Sequence, residues 1–309
     1  MTFALPKDTG PLERDLVTGP QIALISNVNA CLRSMRDDAQ RSHTMPSVFN
    51  RTPRTLFITG ESGSGKTSLM LTMIRHWASP SSWREMAPNT RLAGPADALF
   101  EGMDGVVQAL PVMSLLSQPP NLNAYAWLVL SFLPLVERLS SDTWGEPSLW
   151  DLWNKLYRDT VLAWEQDTHD NQTSDTRVKN ARVRQGGWDR IQDQWFAFMA
   201  SLLKQLGHQR LLVVPIDDLG LNLDVGGDIL RAVRWFWHPS VVFLLAGNLE
   251  DLVETVALED MGKRRRLSMS SERSNDWAGS QRRASALIAR VLPKSLRFTA
   301  SKRGWYLGI

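Results

Sequence analysis

The sequence predicts an α/β fold built on a mostly parallel sheet, and three segments carry this prediction. Residues 55–59 form an apolar run before a glycine-rich turn, residues 210–219 end in two aspartates, and residues 240–248 end in an asparagine. Continuous apolar runs of this length are typical of strands that are buried on both faces, as in parallel sheets. Ligands bind at the carboxyl ends of such strands, so the polar residues there are the first candidates for a site.

Composition favours a globular, cytoplasmic protein without a membrane segment. The chain has 309 residues, of which 43% are hydrophobic, and this is ample for a core. Cys31 is the single cysteine, so no internal disulfide is expected, and residues 1–10 lack the apolar stretch of a secretory signal. The longest apolar run, 124–136, contains Pro134 and is shorter than a bilayer requires.

Charge is distributed unevenly along the chain. The net charge is +3, yet residues 262–309 carry twelve Lys or Arg against two acidic residues, which leaves the rest of the chain acidic. A basic segment on an acidic body indicates either a nucleic-acid contact, through residues 263–303, or an arginine-bearing face that meets a neighbour's nucleotide. A solvated tail is the alternative, above all for residues 263–266.

The turn after the first strand has the pattern G-x-x-x-x-G-K-T, and an apolar helical pattern follows it. Such glycines let several backbone N–H groups face one point, where the helix N-terminus adds its partial positive charge. A polyphosphate fits this arrangement, with Lys66 at the β- and γ-phosphates and the Thr67 hydroxyl on Mg²⁺. A glycine-rich turn with an unrelated lysine is the alternative. The predicted nucleotide-binding residues are Gly60, Glu61, Ser62, Gly63, Ser64, Gly65, Lys66, Thr67 and Ser68.

The second candidate segment ends in Asp217 and Asp218. Asp217 is expected to hold Mg²⁺, directly or through water, and Asp218 to polarise an attacking water as general base. Helix N-caps are the alternative role for paired acids at this position. Pro215 cannot donate to a strand ladder, so the strand is expected to be irregular or to lack a partner there.

Asn248 ends the third apolar run. It is expected either to reach the γ-phosphate or the attacking water, or to cap the helix that starts at Leu249. The two roles are compatible.

The rest of the chain reads as helices, a further strand and one polar segment. We expect residues 1–300 to form one domain with an insertion at about 117–190, and residues 301–309 to form a short tail. Residues 165–187 are expected to be a surface loop or a disordered insert, because few large apolar residues occur there. The other expected elements are helices over 21–37, 121–139, 149–164, 188–206, 227–237 and 284–292, and strands over 106–116 and 295–299.

The order of these motifs resembles that of the AAA+/STAND group of P-loop ATPases. The residues Ile216-Asp217-Asp218-Leu219 and Val242 to Asn248 look most like the branch with KAP and origin-recognition-like ATPases, many of which serve bacterial anti-phage defence or signalling. The resemblance implies a three-layer P-loop NTPase fold of the AAA+/ASCE kind, ATP and Mg²⁺ as ligands, and a homo-oligomer or a partner effector protein. By the same likeness Asn248 is the sensor-1 residue and Arg290 the arginine finger.

Two features depart from that group's pattern. Gly220 stands where many relatives have a third acid, and too few residues follow the last predicted strand for the usual helical lid. We therefore expect either that the lid is truncated or absent, or that the chain is a truncated version of something longer. Hydrolysis is therefore expected to be weak or to need a second subunit.

The leading expectation is an ATPase that assembles with itself or with a partner, plausible in bacterial defence or signalling. The alternatives are a nucleic-acid-binding ATPase of the loader or transposition type, and a nucleotide sensor that binds but barely hydrolyses. A small-molecule kinase is disfavoured by the acid pair on a central strand. A GTPase is disfavoured because residues 247–251 lack the lysine of an N-K-x-D motif.

Overall fold

The computed structural model has an α/β architecture with a six-stranded sheet. Two compact units make up the chain, one formed by residues 1–117, 209–230 and 239–309 and the other by residues 118–208 and 231–238. The predicted insertion, at about 117–190, lies within the second unit apart from residue 117. The structure describes residues 19–41, 53–80, 99–119, 122–140, 147–168, 174–207, 210–222, 225–267 and 276–300.

Six strands and nine helices are assigned in the described part of the chain. The strands are β1 (Thr55–Thr59), β2 (Val107–Ala109), β3 (Met113–Ser114), β4 (Leu211–Leu219), β5 (Val241–Gly247) and β6 (Arg297–Thr299). The helices are α1 (Gly19–Arg41), α2 (Lys66–Ala78), α3 (Ala124–Leu130), α4 (Leu133–Leu139), α5 (Leu149–Thr168), α6 (Ser174–Leu206), α7 (Gly226–Trp235), α8 (Leu249–Leu267) and α9 (Trp277–Val291). Short 3₁₀ turns cover Leu115–Ser117 and Lys294–Leu296.

The sheet belongs to the first unit and has the order β2-β4-β5-β1-β6, with β3 also paired to β4. Every strand pair is parallel, which confirms the predicted α/β class with a parallel sheet. Since β5 lies between β1 and β4, the carboxyl ends of these three strands are neighbours. The residues after β1, at the end of β4 and after β5 therefore meet at one edge.

Strand β4 is irregular at the position that Pro215 predicts. The Leu211 N–H donates towards the β2 side at 2.8 Å, and the Leu212 N–H donates towards the β5 side at 2.8 Å. Alternation along the strand places Pro215 on the β2 side, between the stretches that pair with β2 and with β3. The register against β5 then shifts between Ile216 and Leu219. The missing donor of proline thus falls in a gap of the ladder, as expected.

The core of the first unit packs α1 and α2 against the sheet. A buried polar bridge joins them: the side chain of Asn29 accepts from Trp77 Nε1 at 2.8 Å and donates to the Leu99 carbonyl at 2.8 Å. Both hydrogen-bonding ends of the amide are satisfied, which offsets its desolvation. The buried helical residues of this core include Leu24, Ile25, Val28, Leu32, Leu69, Met70, Met73 and Trp77.

The second unit is helical with an aromatic core. Trp195 packs edge-on against Phe132 and Phe236, with ring centroids 5.5 and 5.0 Å apart. Its side chain is fully buried, and it donates through Nε1 to the Trp237 carbonyl at 3.4 Å. Of the nine tryptophans whose burial the structure describes, five are buried and Trp150 is 41% exposed.

Two predicted elements are each divided in the structure. The helix expected over 121–139 is two helices, because Pro134 lacks an N–H and fits only the first turn of a new helix, α4. The strand expected over 106–116 is β2 and β3, separated around Pro111, which cannot donate to a ladder.

The prediction of a loop or disordered insert over 165–187 is wrong, because most of this polar segment is helical. Helix α5 continues to Thr168 and α6 begins at Ser174, while residues 169–173 lie outside the described part of the chain. Residues 177–185 include three Arg, one Lys, one Ala and one Gln, all of good helix propensity, so a helix forms there although the stretch has no apolar stripe.

The C-terminal elements follow the prediction with small shifts. Helix α9 begins earlier than expected, at Trp277, because the Asp276 side chain caps it by accepting from the Gly279 N–H at 2.8 Å. The last strand is β6, and the tail 301–309 lies outside the described residues. In the part of the chain that the structure describes, no helix is long and apolar enough to cross a membrane.

Candidate functional site

The turn after β1 is tightly curled, and α2 begins at its end. Gly63 and Gly65 have φ of 72° and 79°, a backbone region that favours glycine. A Cβ at Gly60 would lie 2.6 Å from the Ala300 carbonyl oxygen, so a larger residue does not fit there without a shift. The turn therefore has the shape that the glycine pattern predicts, with the N-terminus of a 13-residue helix directly behind it.

Lys66, the first residue of α2, lies over the turn. Its ammonium group donates to the carbonyl oxygens of Gly60 at 2.9 Å and Glu61 at 2.8 Å. These bonds place a positive charge at the mouth of the turn.

Thr67 and Asp217, the two predicted Mg²⁺ ligands, are brought together. The Thr67 hydroxyl donates to Asp217 Oδ2, and Asp217 is only 3% exposed. Burial raises the pKa of the Asp217 carboxyl above its ordinary value, while the hydrogen bond from Thr67 acts in the opposite direction. The first turn of α2 and the end of β4 are thus joined by one side-chain contact.

Asp218 has an unusual backbone conformation, with φ of 61°. This left-handed region costs most non-glycine residues about 1–2 kcal/mol, and aspartate tolerates it better than most. The Asp218 N–H donates to Asp217 Oδ1 at 2.8 Å, and Asp218 Oδ2 accepts from the Ser114 hydroxyl at 2.5 Å. The two carboxylates therefore point to different partners, Thr67 and Ser114.

Ser114 is a site residue that the sequence analysis missed. It is the last residue of β3, paired with Asp217 across the ladder, so it lies at the same carboxyl edge as the acids. Its signal in the sequence is its place as a polar residue near the end of the predicted second strand. That signal is weak without knowledge of which strand lies beside β4.

Asn248 has the capping role that the sequence analysis considered, and it also lines the cavity of the site. Its Oδ1 accepts from the Glu250 N–H at 2.9 Å, at the start of α8. Its amide donors are groups that can serve a phosphate oxygen or a water. Asp251 and Leu221, which the sequence analysis did not select, line the same cavity.

One cavity of about 440 Å³ connects these residues. It opens on the turn, on the first turn of α2 and on the ends of β4 and β5. The lining residues are Ser62, Gly63, Gly65, Lys66, Thr67, Ser68, Asp217, Asp218, Leu219, Leu221, Gly247, Asn248 and Asp251.

The predicted arginine finger lies apart from this cavity. Arg290 is exposed in the last turn of α9 and is not among the lining residues. Arg283, seven residues before Arg290 in the same helix, bonds to Asp260 on α8, with its Nη2 2.8 Å from Oδ2. Arg283 therefore holds α9 against α8, and only Arg290 of the pair is available for a role in another subunit.

The chemistry of the cavity suits a hydrated Mg²⁺ with phosphates better than an all-protein metal site. In the described ranges no three His, Cys, Asp or Glu side chains are grouped so as to hold a metal ion. A hydroxyl and one or two carboxylates, with the other positions left to water and phosphate oxygens, are the usual protein ligands of Mg²⁺. Thr67 and Asp217 fit this ligand set.

No protein-family model matches the sequence, and no curated protein is significantly similar to it.

Proposed function

We propose that this chain binds Mg·ATP in the cavity between the glycine-rich turn and Asp217, and that it hydrolyses ATP as a P-loop ATPase of the AAA+/STAND kind. The observation that carries the proposal is the contact between Thr67 and Asp217, which joins the two motifs at one cavity. If the turn and its lysine were unrelated to a nucleotide site, we would not expect the residue after the lysine to contact a buried acid.

The turn and α2 supply the binding part. The backbone N–H groups of the turn and the α2 N-terminus favour a polyphosphate. Lys66 exchanges its carbonyl contacts at Gly60 and Glu61 for phosphate oxygens when the nucleotide enters. Thr67 and Asp217 hold Mg²⁺, which neutralises charge on the phosphates.

Asp218 and Asn248 supply the hydrolytic part. Ser114 donates to Asp218 Oδ2, so Oδ1 is the oxygen best suited to accept a proton from the attacking water. Asn248 orients that water or the γ-phosphate through its amide donors. Phosphoryl transfer depends mainly on positioning and charge neutralisation, so these few side chains suffice for slow turnover.

We propose that Arg290 acts between subunits. Because this side chain is exposed and outside the cavity, its role is in trans, at the nucleotide of a second copy or of a partner. By the resemblance to defence and signalling ATPases, such an assembly in a bacterial cytoplasm is the proposed setting.

The test is Mg·ATP binding by the wild type and by Lys66→Ala, measured by calorimetry, with phosphate release measured on the same samples. Loss of the lysine should weaken binding or turnover by roughly a hundredfold. Lys155→Ala, at an exposed lysine of α5, is the matched control and should behave as the wild type. Equal binding and turnover in the wild type and Lys66→Ala would refute the proposal.

A nucleic-acid-binding ATPase is the second candidate, and one observation favours it. The backbone of α8 continues to Leu267, so residues 263–266, all Lys or Arg, follow one another on a helix in the most basic part of the chain. If this segment contacts phosphates, the affinity for DNA or RNA should fall steeply with salt because counterions are released. Absence of binding at low salt would exclude this candidate.

A further inference from the structure

We propose that Thr255 is a positioning residue for the candidate site, which acts by fixing the turn that carries Asp218. Thr255 lies on α8 and is 1% exposed, and its hydroxyl donates to the Gly220 carbonyl oxygen at 2.8 Å. Gly220 follows Asp218 by two residues. The inference rests on the proposed hydrolysis, in which Asp218 activates the water.

The end of β4 and the turn that follows it, from Asp218 to Leu221, have little support from regular structure. Asp218 and Gly220 both have positive φ, 61° and 106°, and the register against β5 shifts at this point. Within the turn, the Leu221 N–H donates to the Asp218 carbonyl oxygen at 3.1 Å. A turn with two left-handed residues persists where its surroundings determine it, so a restraint from a neighbouring element is expected.

Helix α8 provides that restraint at both ends of the loop that leads to α7. A Cβ at Gly220 would lie 3.0 Å from a backbone nitrogen of α8, and a Cβ at Gly226 would lie 2.9 Å from Thr255 Cγ2. One helical turn beyond Thr255, the Glu259 carboxylate accepts from the Gly227 N–H at 2.8 Å. Thr255 and Glu259 lie on one face of the helix. Thr255 bonds to Gly220, and Glu259 bonds to Gly227.

The same helix begins at the other candidate catalytic residue. Asn248 precedes α8 and caps it, so α8 connects Asn248 to the turn of Asp218 through Thr255. Loss of the Thr255 hydroxyl therefore lets Asp218 move relative to Asn248. The contacts of the phosphate-binding turn do not involve Thr255, so nucleotide affinity is retained.

Three variants separate the hydrogen bond from packing. Thr255→Val keeps the size of the side chain but removes the donor to a buried residue, and Thr255→Ser keeps the donor. Thr160→Val is the matched control, because Thr160 is also fully buried and its hydroxyl donates to a carbonyl oxygen, that of Leu156, at 2.7 Å within α5. Thr255→Val should lower kcat for ATP about tenfold to a hundredfold, with KM nearly unchanged. Thr255→Ser and Thr160→Val should both keep kcat close to that of the wild type.

A second readout needs no nucleotide. The amides of Asp218 and Leu221 are hydrogen-bonded within the turn, and their hydrogen exchange in the free protein reports its opening. Exchange in peptides that cover residues 217–222 should be about tenfold faster in Thr255→Val, and unchanged in Thr255→Ser and Thr160→Val.

Unchanged exchange in Thr255→Val would overturn the inference. So would an equal loss in Thr255→Ser, or a loss of affinity that matches the loss of kcat. A wild type that fails to hydrolyse ATP while the exchange pattern appears as expected would refute the proposed hydrolysis, and the restraint on the turn would remain supported.

Discussion

The Thr67 hydroxyl donates to the Asp217 carboxylate, although 150 residues separate the two in the sequence. Thr67 lies in the first turn of α2 and Asp217 near the end of β4, and β5 lies between β4 and the strand that leads to α2. The contact therefore depends on the curl of the turn and on the order of three strands. It places a hydroxyl and a buried carboxylate at one side of the cavity.

Thr67→Val should weaken the use of Mg²⁺. The substitution keeps the shape of the side chain and removes one oxygen ligand, so the Mg²⁺ concentration for half-maximal ATP binding should rise about tenfold. A Mg²⁺ titration at fixed ATP measures this, with Thr67→Ser as the control that keeps the hydroxyl. An identical Mg²⁺ requirement in Val and Ser variants would show that the Thr67 oxygen is not a ligand.

Ser114→Ala should reduce turnover through Asp218. The serine holds Asp218 Oδ2 with a bond of 2.5 Å, and loss of a bond to a charged group costs about 1.5–3 kcal/mol. We expect kcat to fall about tenfold or more, while ATP affinity stays the same. Ser114→Thr, which retains a hydroxyl, should restore most of the rate. Equal rates for the alanine and threonine variants would contradict the role of this hydrogen bond.

Gly247→Ala should destabilise the protein. A Cβ at Gly247 would lie 2.1 Å from the Leu219 carbonyl oxygen, in the bulged part of β4, so the strands must separate. The free energy of unfolding should fall by about 1–3 kcal/mol in urea denaturation. Gly262→Ala is the control: among the described residues, no atom beyond its own helix backbone lies within 4 Å of the added Cβ, and alanine in the helix should raise stability by up to about 1 kcal/mol. Equal effects at the two glycines would argue against this packing of β4 and β5.

His76 should make stability depend on pH. Burial, and then the charge of Arg75, lower the pKa of His76 from 6.5 to about 4 in the folded protein. Between these values the unfolded chain binds a proton that the folded protein does not, so the free energy of unfolding should fall as pH drops from 6.5 to 4. The loss from this group is up to about 3 kcal/mol, and its contribution is constant above pH 6.5.

Urea denaturation of the wild type and of His76→Leu at several pH values isolates this contribution. The wild type should lose more stability than the variant between pH 6.5 and 4.5, so their difference changes with pH. A difference that stays constant over this range would contradict a buried, neutral His76.

Contiguous patterns made much of this site predictable. The glycine-rich turn and Lys66 are encoded in a few adjacent residues, and the apolar run before Asp217 identifies a buried strand by composition alone. Ser114 was not predictable in the same way, since its role depends on the pairing of β3 with β4. The left-handed Asp218 and the contact of Thr255 with Gly220 also arise only when separate elements pack together.

Two predicted helix boundaries differ from those of the structure, and the physical reason is a different one. The apolar stripe locates helices that pack on a core, so residues 188–206 were predicted and the polar first half of α6 was missed. Conversely, the apolar run over 121–139 looked continuous because periodicity does not register the break at Pro134. Proline position and helix propensity would have corrected both assignments.

Asp218→Asn tests whether the protein hydrolyses the Mg·ATP that we propose the cavity binds. Asparagine has the same size and also tolerates the left-handed conformation of this residue, but it cannot accept a proton from water. Mg·ATP affinity and phosphate release should be measured on the same preparations of wild type and variant. We expect the variant to bind Mg·ATP with unchanged affinity and to release phosphate about a hundredfold or more slowly. Phosphate release at the wild-type rate, or an equal loss of affinity and release, would contradict this expectation.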